Sequence, residues 1–188
     1  MFKKIIGVSG DRGSFSEEAG LIYASRIGVA PEIHFSIDME GVLRDLSGGK
    51  IDLGIFPVVN SRGGLVRPAF EAMGNYLFRV RDEVWMEVHQ CLLVLPGVKK
   101  TAIKKITTHS QAIAQCERYI KREFPEAKLI EWEDTAKAAK DLAEGKISPD
   151  AAVIAPSRCA QIYNLEILDS GIQDNHPNLT TFIAVERK

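Results

Sequence analysis

Short apolar runs that favour strands alternate along this chain with segments whose apolar residues recur at helical spacing. This alternation constrains the fold more than any other feature of the sequence. In the first third, the strand-like runs and the helix-like segments lie, respectively, at 3–9, 32–37 and 51–58, and at 14–28, 38–49 and 64–74. A β-α-β-α-β-α order of this kind predicts an α/β fold with mostly parallel sheets covered by helices.

The alternation resumes from about residue 88 to residue 155 and predicts a second α/β unit. Extended segments near 76–92 and 164–172 are expected to connect two lobes. The predicted lobes are 1–78 with 168–188, and 79–167, and a cleft between them is the expected ligand site. Three local features complete this interpretation: one helix over 111–124, a cap at Asp134 or Thr135, and no obvious sequence repeat.

Composition excludes several classes of function. The chain has 188 residues, of which 45% are hydrophobic and 26% charged, as expected of a globular protein with a real core. A net charge of −1 gives no electrostatic reason to expect a nucleic acid or an anionic membrane as partner. The apolar run at the N-terminus is short and is interrupted by Gly-Asp-Arg-Gly at 10–13, so it predicts a strand rather than a signal peptide.

The cysteines and histidines indicate neither disulfides nor a metal site. Three widely spaced cysteines, Cys91, Cys116 and Cys159, predict reduced thiols and a cytoplasmic location. No CxxC, HExxH or paired-histidine spacing occurs, so we expect no metal.

Three junctions between a strand and a helix are rich in small polar residues, at 10–16, 57–64 and 107–111. Helix N-termini present unpaired N–H groups and the positive end of the helix dipole, which suit a carboxylate or a phosphate. Each junction alone is more typical of an ordinary cap and turn. His109, which opens a helix, fits a cap and a ligand contact equally well.

Taken together, these segments resemble the prephenate dehydratase family in order and spacing from about Ile5 to Val185. The matching motifs are GDRGSFSEEA, DLGIFPVVNSRGGLV, HQCLLV, THSQAIAQC, AAVIA, YNLEIL, GIQD and NLTTF. The resemblance implies loss of carbon dioxide and water from prephenate to give phenylpyruvate, in phenylalanine biosynthesis, without a cofactor. It also implies a two-lobed fold like that of type II periplasmic binding proteins, with the active site in the interlobe cleft. By analogy, a homodimer is expected.

The resemblance also implies roles for individual residues. Thr180 matches the family threonine that assists departure of the ring hydroxyl. The substrate-binding residues that it implies are Ser14, Ser16, Asn60, Ser61, His109, Gln111, Thr135 and Phe182. Many members carry a C-terminal regulatory domain of the ACT type, whereas the resemblance here covers the catalytic domain only, so no ACT domain is expected.

The sequence departs from the family pattern at two positions. Thr181 stands where the family usually has arginine, and Val59 stands where it usually has glutamate. Arginine is a fixed cation whose planar fork suits a carboxylate, so its loss is expected to weaken binding of the dianionic substrate. If the two family residues form an ion pair, losing both leaves neither charge unpaired. Arg12 and Arg62 are the expected substitutes for the missing positive charge.

Three functions therefore remain open on the sequence. The first is an unregulated prephenate dehydratase. The second is a family member with changed chemistry or substrate, such as a prephenate decarboxylase that leaves the ring non-aromatic. The third is a non-catalytic module that binds a small anion, because a fold alone does not fix a function.

Overall fold

The computed structural model describes residues 3–188 and divides the chain into two compact units. Unit 1 contains the residues up to Asp11, together with Phe15–Glu87 and Leu179–Lys188. Unit 2 contains Arg12–Ser14 and Val88–Asn178. Within the described residues, every helix is too short or too polar to cross a membrane.

Unit 1 is a mixed sheet covered by helices on both faces. Its strands run in the order β2-β1-β3-β11-β5, with β4 paired to β3. β1 is parallel to β2 and β3, whereas β11 is antiparallel to β3 and β5. The elements are β1 (Lys3–Ser9), α1 (Phe15–Arg26), β2 (Ala30–Ser36), α2 (Met39–Ser47), β3 (Leu53–Asn60), β4 (Gly64–Leu65), α3 (Arg67–Met73), β5 (Phe78–Glu87) and β11 (Leu179–Arg187).

Unit 2 has the same arrangement, with strand order β10-β6-β9-β7-β8. β7 is parallel to β8 and β9, whereas β6 is antiparallel to β9 and β10. The elements are β6 (Gln90–Val94), a 3₁₀ turn (Lys100–Ala102), β7 (Lys105–Thr108), α4 (Ser110–Gln115), α5 (Glu117–Glu123), β8 (Lys128–Glu131), α6 (Thr135–Ala143), β9 (Ala151–Pro156), α7 (Ser157–Tyr163) and β10 (Glu166–Ser170).

The two-lobed α/β fold expected from the sequence is confirmed, with two corrections. The sheets are mixed rather than mostly parallel, because β11 lies antiparallel beside β3 in unit 1 and β6 lies antiparallel beside β9 in unit 2. The predicted boundaries at 78/79 and 167/168 move to 87/88 and 178/179. They move because β5 pairs along its length with β11 in unit 1, and β10 pairs with β6 in unit 2.

The helix predicted over 111–124 is instead two helices, which meet at Cys116. The backbone there has φ −116° and ψ 18°, outside the helical region. The break exposes the first N–H groups of α5, and the Asp174 carboxylate accepts hydrogen bonds from two of them, Arg118 N at 2.8 Å and Tyr119 N at 3.1 Å. A side chain distant in sequence thus supplies the cap that the local sequence lacks.

The core of unit 1 lies on both faces of its sheet. The face covered by α1 (the α1 face) holds Ala19, Tyr23, Ile55, Val84, Phe182 and Ala184. The face covered by α2 and α3 (the α2–α3 face) holds Val42, Leu46, Phe56, Ala69, Ile183 and Val185. Because side chains alternate along β11, even-numbered residues from 180 to 184 point to the α1 face and odd-numbered ones to the α2–α3 face.

The two units contain a repeated sequence pattern. Residues 134–158 follow the same order of caps, helix, glycine turn and lysine as residues 38–62. Asp38 and Asp134 cap α2 and α6, and each accepts a hydrogen bond from the N–H group three residues on. Eight of the 25 aligned residues are identical, and the two sheets have matching strand orders. The expectation of no obvious sequence repeat is therefore wrong.

The repeat carries one buried carboxylate with cationic partners in each unit. Asp45 accepts hydrogen bonds from His34 Nε2, Lys50 Nζ and Ser36 Oγ at 3.1, 3.1 and 3.2 Å. Its counterpart Asp141 accepts them from Lys137 Nζ, Trp132 Nε1 and Lys146 Nζ at 2.6, 3.0 and 3.1 Å. Burial alone would raise the pKa of either carboxyl, but these donors outweigh it and hold both pKa values below the ordinary value.

We expect Asp45→Asn and Asp141→Asn each to lower the free energy of unfolding at pH 7 by about 1.5–3 kcal/mol, the range for hydrogen bonds to a charged group. Since a lowered folded pKa stabilises the protein above the unfolded value of about 4, the wild type loses this stabilisation as pH falls from about 5 through that lowered pKa. Each variant should show a shallower loss. Chemical denaturation at several pH values measures both effects.

Glu32→Gln is the matched control, because Glu32 forms an ion pair with Lys3 in which both side chains are largely exposed. Exposed pairs contribute at most about 1 kcal/mol. If Asp45→Asn or Asp141→Asn cost no more than this control, the hydrogen bonds to the two buried carboxylates would not be the stabilising contacts described above.

Candidate active site

A β-bulge places Asn60 opposite Thr180 in unit 1. Phe182 pairs with Pro57, whereas Thr181 pairs with Val59, so β3 contains one extra residue, Val58, between these pairs. With an unbroken register, Thr180 would face Val59 instead. The bulge shifts the end of β3 by one residue and brings Asn60 onto the α1 face beside Thr180, which is how bulges re-aim side chains near functional sites.

The Asn60 amide is held in one orientation. Its Oδ1 accepts hydrogen bonds from Arg62 N at 2.9 Å and Gly63 N at 2.8 Å. Backbone N–H groups are donors only, which fixes this atom as the carbonyl oxygen and leaves Nδ2 as the donor. Nδ2 lies 2.8 Å from Thr180 Oγ1, and the two side chains are 4% and 7% exposed.

This orientation determines what the Thr180 hydroxyl does. An amide NH₂ group cannot accept a hydrogen bond, so Oγ1 must be the acceptor in its contact with Asn60. The hydroxyl proton of Thr180 therefore does not point at Asn60 and can be donated to another acceptor. A buried, oriented hydroxyl that accepts one hydrogen bond and donates its own proton is suited to protonating a leaving oxygen.

Ser61 fixes the backbone next to Thr180. Its N–H donates to Leu179 O at 2.7 Å, and its Oγ accepts from Leu179 N at 3.0 Å. These two bonds extend the β3–β11 pairing by one residue beyond Asn60. The structure therefore gives Ser61 a positioning contact, and any contact with a ligand stays a prediction.

Ser16 lies in the first turn of α1, on the helix that covers the α1 face. Its Oγ is 3.0 Å from Ser9 Oγ at the end of β1, and both serines are buried. The structure thus brings three predicted residues of unit 1, Ser16, Asn60 and Thr180, to the same face of one sheet.

The predicted residues of unit 2 lie at helix N-termini. His109 is the N-cap of α4, and its Nδ1 accepts a hydrogen bond from Gln111 N at 3.2 Å. The cap is thus one of the two roles that the sequence leaves open for His109. Thr135 is the first residue of α6, whose cap is Asp134 rather than Thr135. Ser14 is buried, and Arg12 is exposed.

Comparison with known proteins identifies the family. A model of the prephenate dehydratase family matches residues 6–188. This chain belongs to the prephenate dehydratase family. The arogenate dehydratase/prephenate dehydratase 6 of Arabidopsis thaliana, a chloroplastic protein, is 37% identical over 137 residues, which are 73% of this chain and 33% of that protein.

Two further relatives cover nearly the whole chain. The chloroplastic arogenate dehydratase/prephenate dehydratase 1 of Arabidopsis thaliana is 33% identical over 184 residues, 97% of this chain and 45% of that protein. The structure of prephenate dehydratase in complex with L-Phe from Arthrobacter aurescens has a TM-score of 0.85 and 26% identity, and covers 98% of this chain and 60% of that one. The chain thus spans 33% to 60% of the length of these family members.

The two departures from the family pattern are neighbours on adjacent strands, and their side chains lie on the same face of the sheet. Thr181 pairs directly with Val59 on one side and with Trp85 on the other. With Leu65, which pairs with Val59, they form a cross-strand row on the α2–α3 face: Leu65, Val59, Thr181 and Trp85. Thr180 points to the opposite face. An arginine at 181 and a glutamate at 59 would therefore be cross-strand neighbours, at a distance where opposite charges interact.

Phe182 lies in the core next to the candidate site. It is 1% exposed and packs in the core of the α1 face with Val84 and Ala184. Its burial accounts for an apolar aromatic residue at this position. The structure therefore gives Phe182 a packing role that anchors β11 two residues from Thr180, and any contact with a substrate stays a prediction.

Sequence reasoning missed a buried amide network in unit 2. Gln115 Oε1 accepts hydrogen bonds from Gln90 Nε2 at 3.1 Å and from Asn178 Nδ2 at 3.2 Å, and Gln173 Oε1 accepts one from Gln90 N at 3.0 Å. Among residues 3–188, Gln90 Oε1 is a buried acceptor with no hydrogen-bond donor. The signal was available, because each of these four amides falls within one of the family motifs.

The described part of the chain contains no cluster of histidine, cysteine, aspartate and glutamate residues that would hold a metal ion.

Proposed function

We propose that this chain is a prephenate dehydratase-type lyase in which Thr180 donates a proton to the departing ring hydroxyl. The observation that carries the proposal is the hydrogen bond from Asn60 Nδ2 to Thr180 Oγ1, which leaves the threonine proton for the substrate. The family membership of residues 6–188 supplies the substrate class.

The proposed reaction has a simple balance. The bond between the ring and its carboxylate breaks, carbon dioxide leaves, and the electron pair moves into the ring. The ring carbon–oxygen bond then breaks, and the departing oxygen takes the Thr180 proton to leave as water. Thr180 regains a proton from solvent, so one proton is consumed for each carbon dioxide and water released. Proton donation of this kind contributes about 10²–10⁴-fold to rate.

The dianionic substrate also needs positive charge. The N-terminus of α1, which carries Ser16, offers N–H groups and a positive dipole end on the face where Thr180 lies. We propose that Arg12 and Arg62 contact the carboxylates. Arg62 is the residue whose N–H is held by Asn60, so its backbone is fixed by the same side chain that orients Thr180.

The test is to incubate the pure chain with prephenate, and separately with its amino-acid counterpart arogenate, because the relatives are named for both. Aromatic product, carbon dioxide and non-aromatic acids are followed together. Aromatic product above the uncatalysed rate supports the proposal. Carbon dioxide without aromatic product would establish a decarboxylase instead, and thermal stabilisation by the substrate without turnover would establish a binding module.

The second candidate function is a changed reaction, and the reason to consider it is the replacement of the family residues by Thr181 and Val59. Both side chains lie on the face opposite Thr180, which argues against an effect on the reaction. We therefore expect the reaction to survive the loss of the family arginine and glutamate.

Restoring these two residues tests this point. Thr181→Arg, Val59→Glu and the double variant should each change KM by less than about twofold, since neither position shares a face with Thr180. The double-mutant cycle in unfolding free energy should give a favourable coupling of about 0.2–1 kcal/mol, as for other opposite charges across a strand pair. A tenfold fall in KM with Thr181→Arg alone would show that position 181 reaches the substrate.

A cytosolic location and a homodimer are also proposals. The first is supported by three thiols that are buried and unlinked, Cys91, Cys116 and Cys159. Burial, with smaller effects from Asp174 and Cys91, raises the pKa of the Cys116 thiol to about 12, which suits an unreactive core residue. The homodimer rests on analogy, and sedimentation of the pure chain would decide it.

A further inference from the structure

Two side chains of α7 hold the backbone of the loop Arg12–Ser14. Tyr163 Oη donates a hydrogen bond to Arg12 O at 2.6 Å, and Cys159 Sγ donates a weaker one to Gly13 O at 3.5 Å. Residues four apart lie on the same side of a helix, so the two donors reach two consecutive carbonyl groups from one helical surface. We call these four residues, Arg12, Gly13, Cys159 and Tyr163, the α7 latch.

The latch is closely fitted at Gly13. This residue has φ +95°, a conformation that favours glycine. A Cβ atom built there would lie 2.8 Å from Cys159 Sγ and 3.4 Å from Ile162 Cδ1. Gly13 and Cys159 are both buried. The loop therefore follows one path against α7, and any side chain at position 13 would force it to move.

The loop that the latch holds carries two predicted substrate residues. Arg12 and Ser14 flank Gly13, and Arg12 has its carbonyl oxygen bound by Tyr163 while its side chain is exposed. Binding a ligand through a loop that is already ordered avoids the entropy loss of ordering it on binding. A latch of this kind therefore affects affinity for the ligand more than the chemical step that follows.

We propose that Tyr163, assisted by Cys159, is a positioning residue that fixes the Arg12–Ser14 loop for a carboxylate of the substrate. The proposal rests on the function proposed above. Tyr163 acts through the loop and does not contact the reacting atoms. The motif YNLEIL begins with Tyr163 but gives no contact for it, because its partner is a backbone carbonyl 151 positions away in sequence.

The first measurement is steady-state kinetics of Tyr163→Phe, which removes one hydroxyl and keeps the ring. We expect KM to rise about five- to tenfold, the effect of one hydrogen bond, with kcat within about twofold of the wild type. Cys159→Ala should give a smaller rise in KM, because a thiol is a weak donor. Tyr76→Phe is the matched control, since Tyr76 Oη donates to Glu40 Oε1 at 3.4 Å on α2 in unit 1 and should leave both constants unchanged.

The second measurement does not depend on activity. Trypsin cleaves after arginine, and the carbonyl of the Arg12–Gly13 bond is the group that Tyr163 holds. In limited digestion of the native protein followed by mass spectrometry, Tyr163→Phe should speed cleavage after Arg12 at least threefold and leave cleavage after Arg62 unchanged. Tyr76→Phe should alter neither rate.

The outcomes separate the two proposals. If Tyr163→Phe changed neither KM nor cleavage after Arg12, the positioning role would be overturned. If it lowered kcat as well as raising KM, and speeded cleavage at every arginine, the residue would be merely structural, which also overturns the role. Faster cleavage after Arg12 in a chain whose wild type turns over neither prephenate nor arogenate would support the latch and overturn the proposed function.

Discussion

Thr180→Val should lower turnover of the substrate by about 10²–10³-fold and leave the fold intact. Valine has nearly the shape of threonine but lacks the hydroxyl, so the substitution removes the proposed proton donor with little change in side-chain volume. One cost follows directly, because the Asn60 amide loses its acceptor, and a buried donor left unpaired destabilises a protein by about 1–3 kcal/mol. Turnover is therefore measured well below the variant's unfolding temperature.

The neighbouring threonine provides the control. Thr181→Val makes the same chemical change one residue away, on the α2–α3 face, next to Val59 and Trp85. We expect it to keep turnover within about twofold of the wild type. Thr180→Ser, which restores a hydroxyl, should recover most of the rate. Equal rates for Thr180→Val and Thr181→Val would remove Thr180 from the mechanism.

Asn60→Asp should lower turnover by about 10²-fold at neutral pH through a reversal of one hydrogen bond. A carboxylate still accepts hydrogen bonds from the N–H groups of Arg62 and Gly63, so the turn after β3 is retained. It cannot donate to Thr180 Oγ1, and the threonine proton turns towards it instead of towards the substrate. The variant thus changes the direction of the contact while keeping its geometry.

This prediction has a pH signature that a general loss of structure would not produce. As pH falls, the new carboxyl becomes protonated and regains a proton to donate to Thr180, so turnover of Asn60→Asp should rise relative to the wild type. Asn75→Asp adds the same charge at an exposed position and controls for net charge. A pH profile of Asn60→Asp parallel to that of Asn75→Asp would contradict the proposed direction of the bond.

The double variant connects the two predictions. If Asn60 acts on the reaction only through Thr180, then Asn60→Asp combined with Thr180→Val should lose no more activity than Thr180→Val alone. Residues that act as one unit show this non-additivity. Additive losses would mean that Asn60 also acts on the substrate directly.

Asn60 and Thr180 show how far motif order can go in locating a site. Both were predicted from motifs that lie 120 positions apart in sequence, and the structure places their side chains in contact. What no motif states is that Oδ1 is committed to two N–H groups of the turn, which fixes the donor and hence the direction of the contact with Thr180. That direction is the mechanistic content, and it depends on the bulge at Val58.

The departures at Thr181 and Val59 show where sequence reasoning overstates a difference. Because Thr181 is adjacent in sequence to the predicted catalytic threonine, the absence of an arginine there suggests that a contact with the substrate is lost. In a strand, adjacent residues point to opposite faces, so position 181 belongs to the cross-strand row with Leu65, Val59 and Trp85. Thr180 and Thr181 are adjacent in sequence, but their side chains lie on opposite faces of the sheet.

The sequence by itself determined the alternation of strands and helices, because each element is set by neighbours within a few positions. It narrowed the cap of α6 to Asp134 or Thr135, and its resemblance to the family supplied the predicted residues of the candidate site. Only the tertiary structure decided the exchange of β5 and β10 between the predicted lobes, the break at Cys116, the buried amides and the latch from Tyr163 to Arg12. Each of these depends on strand register or on contacts between residues far apart in sequence. Local propensity leaves both undetermined, and packing of the whole chain fixes them.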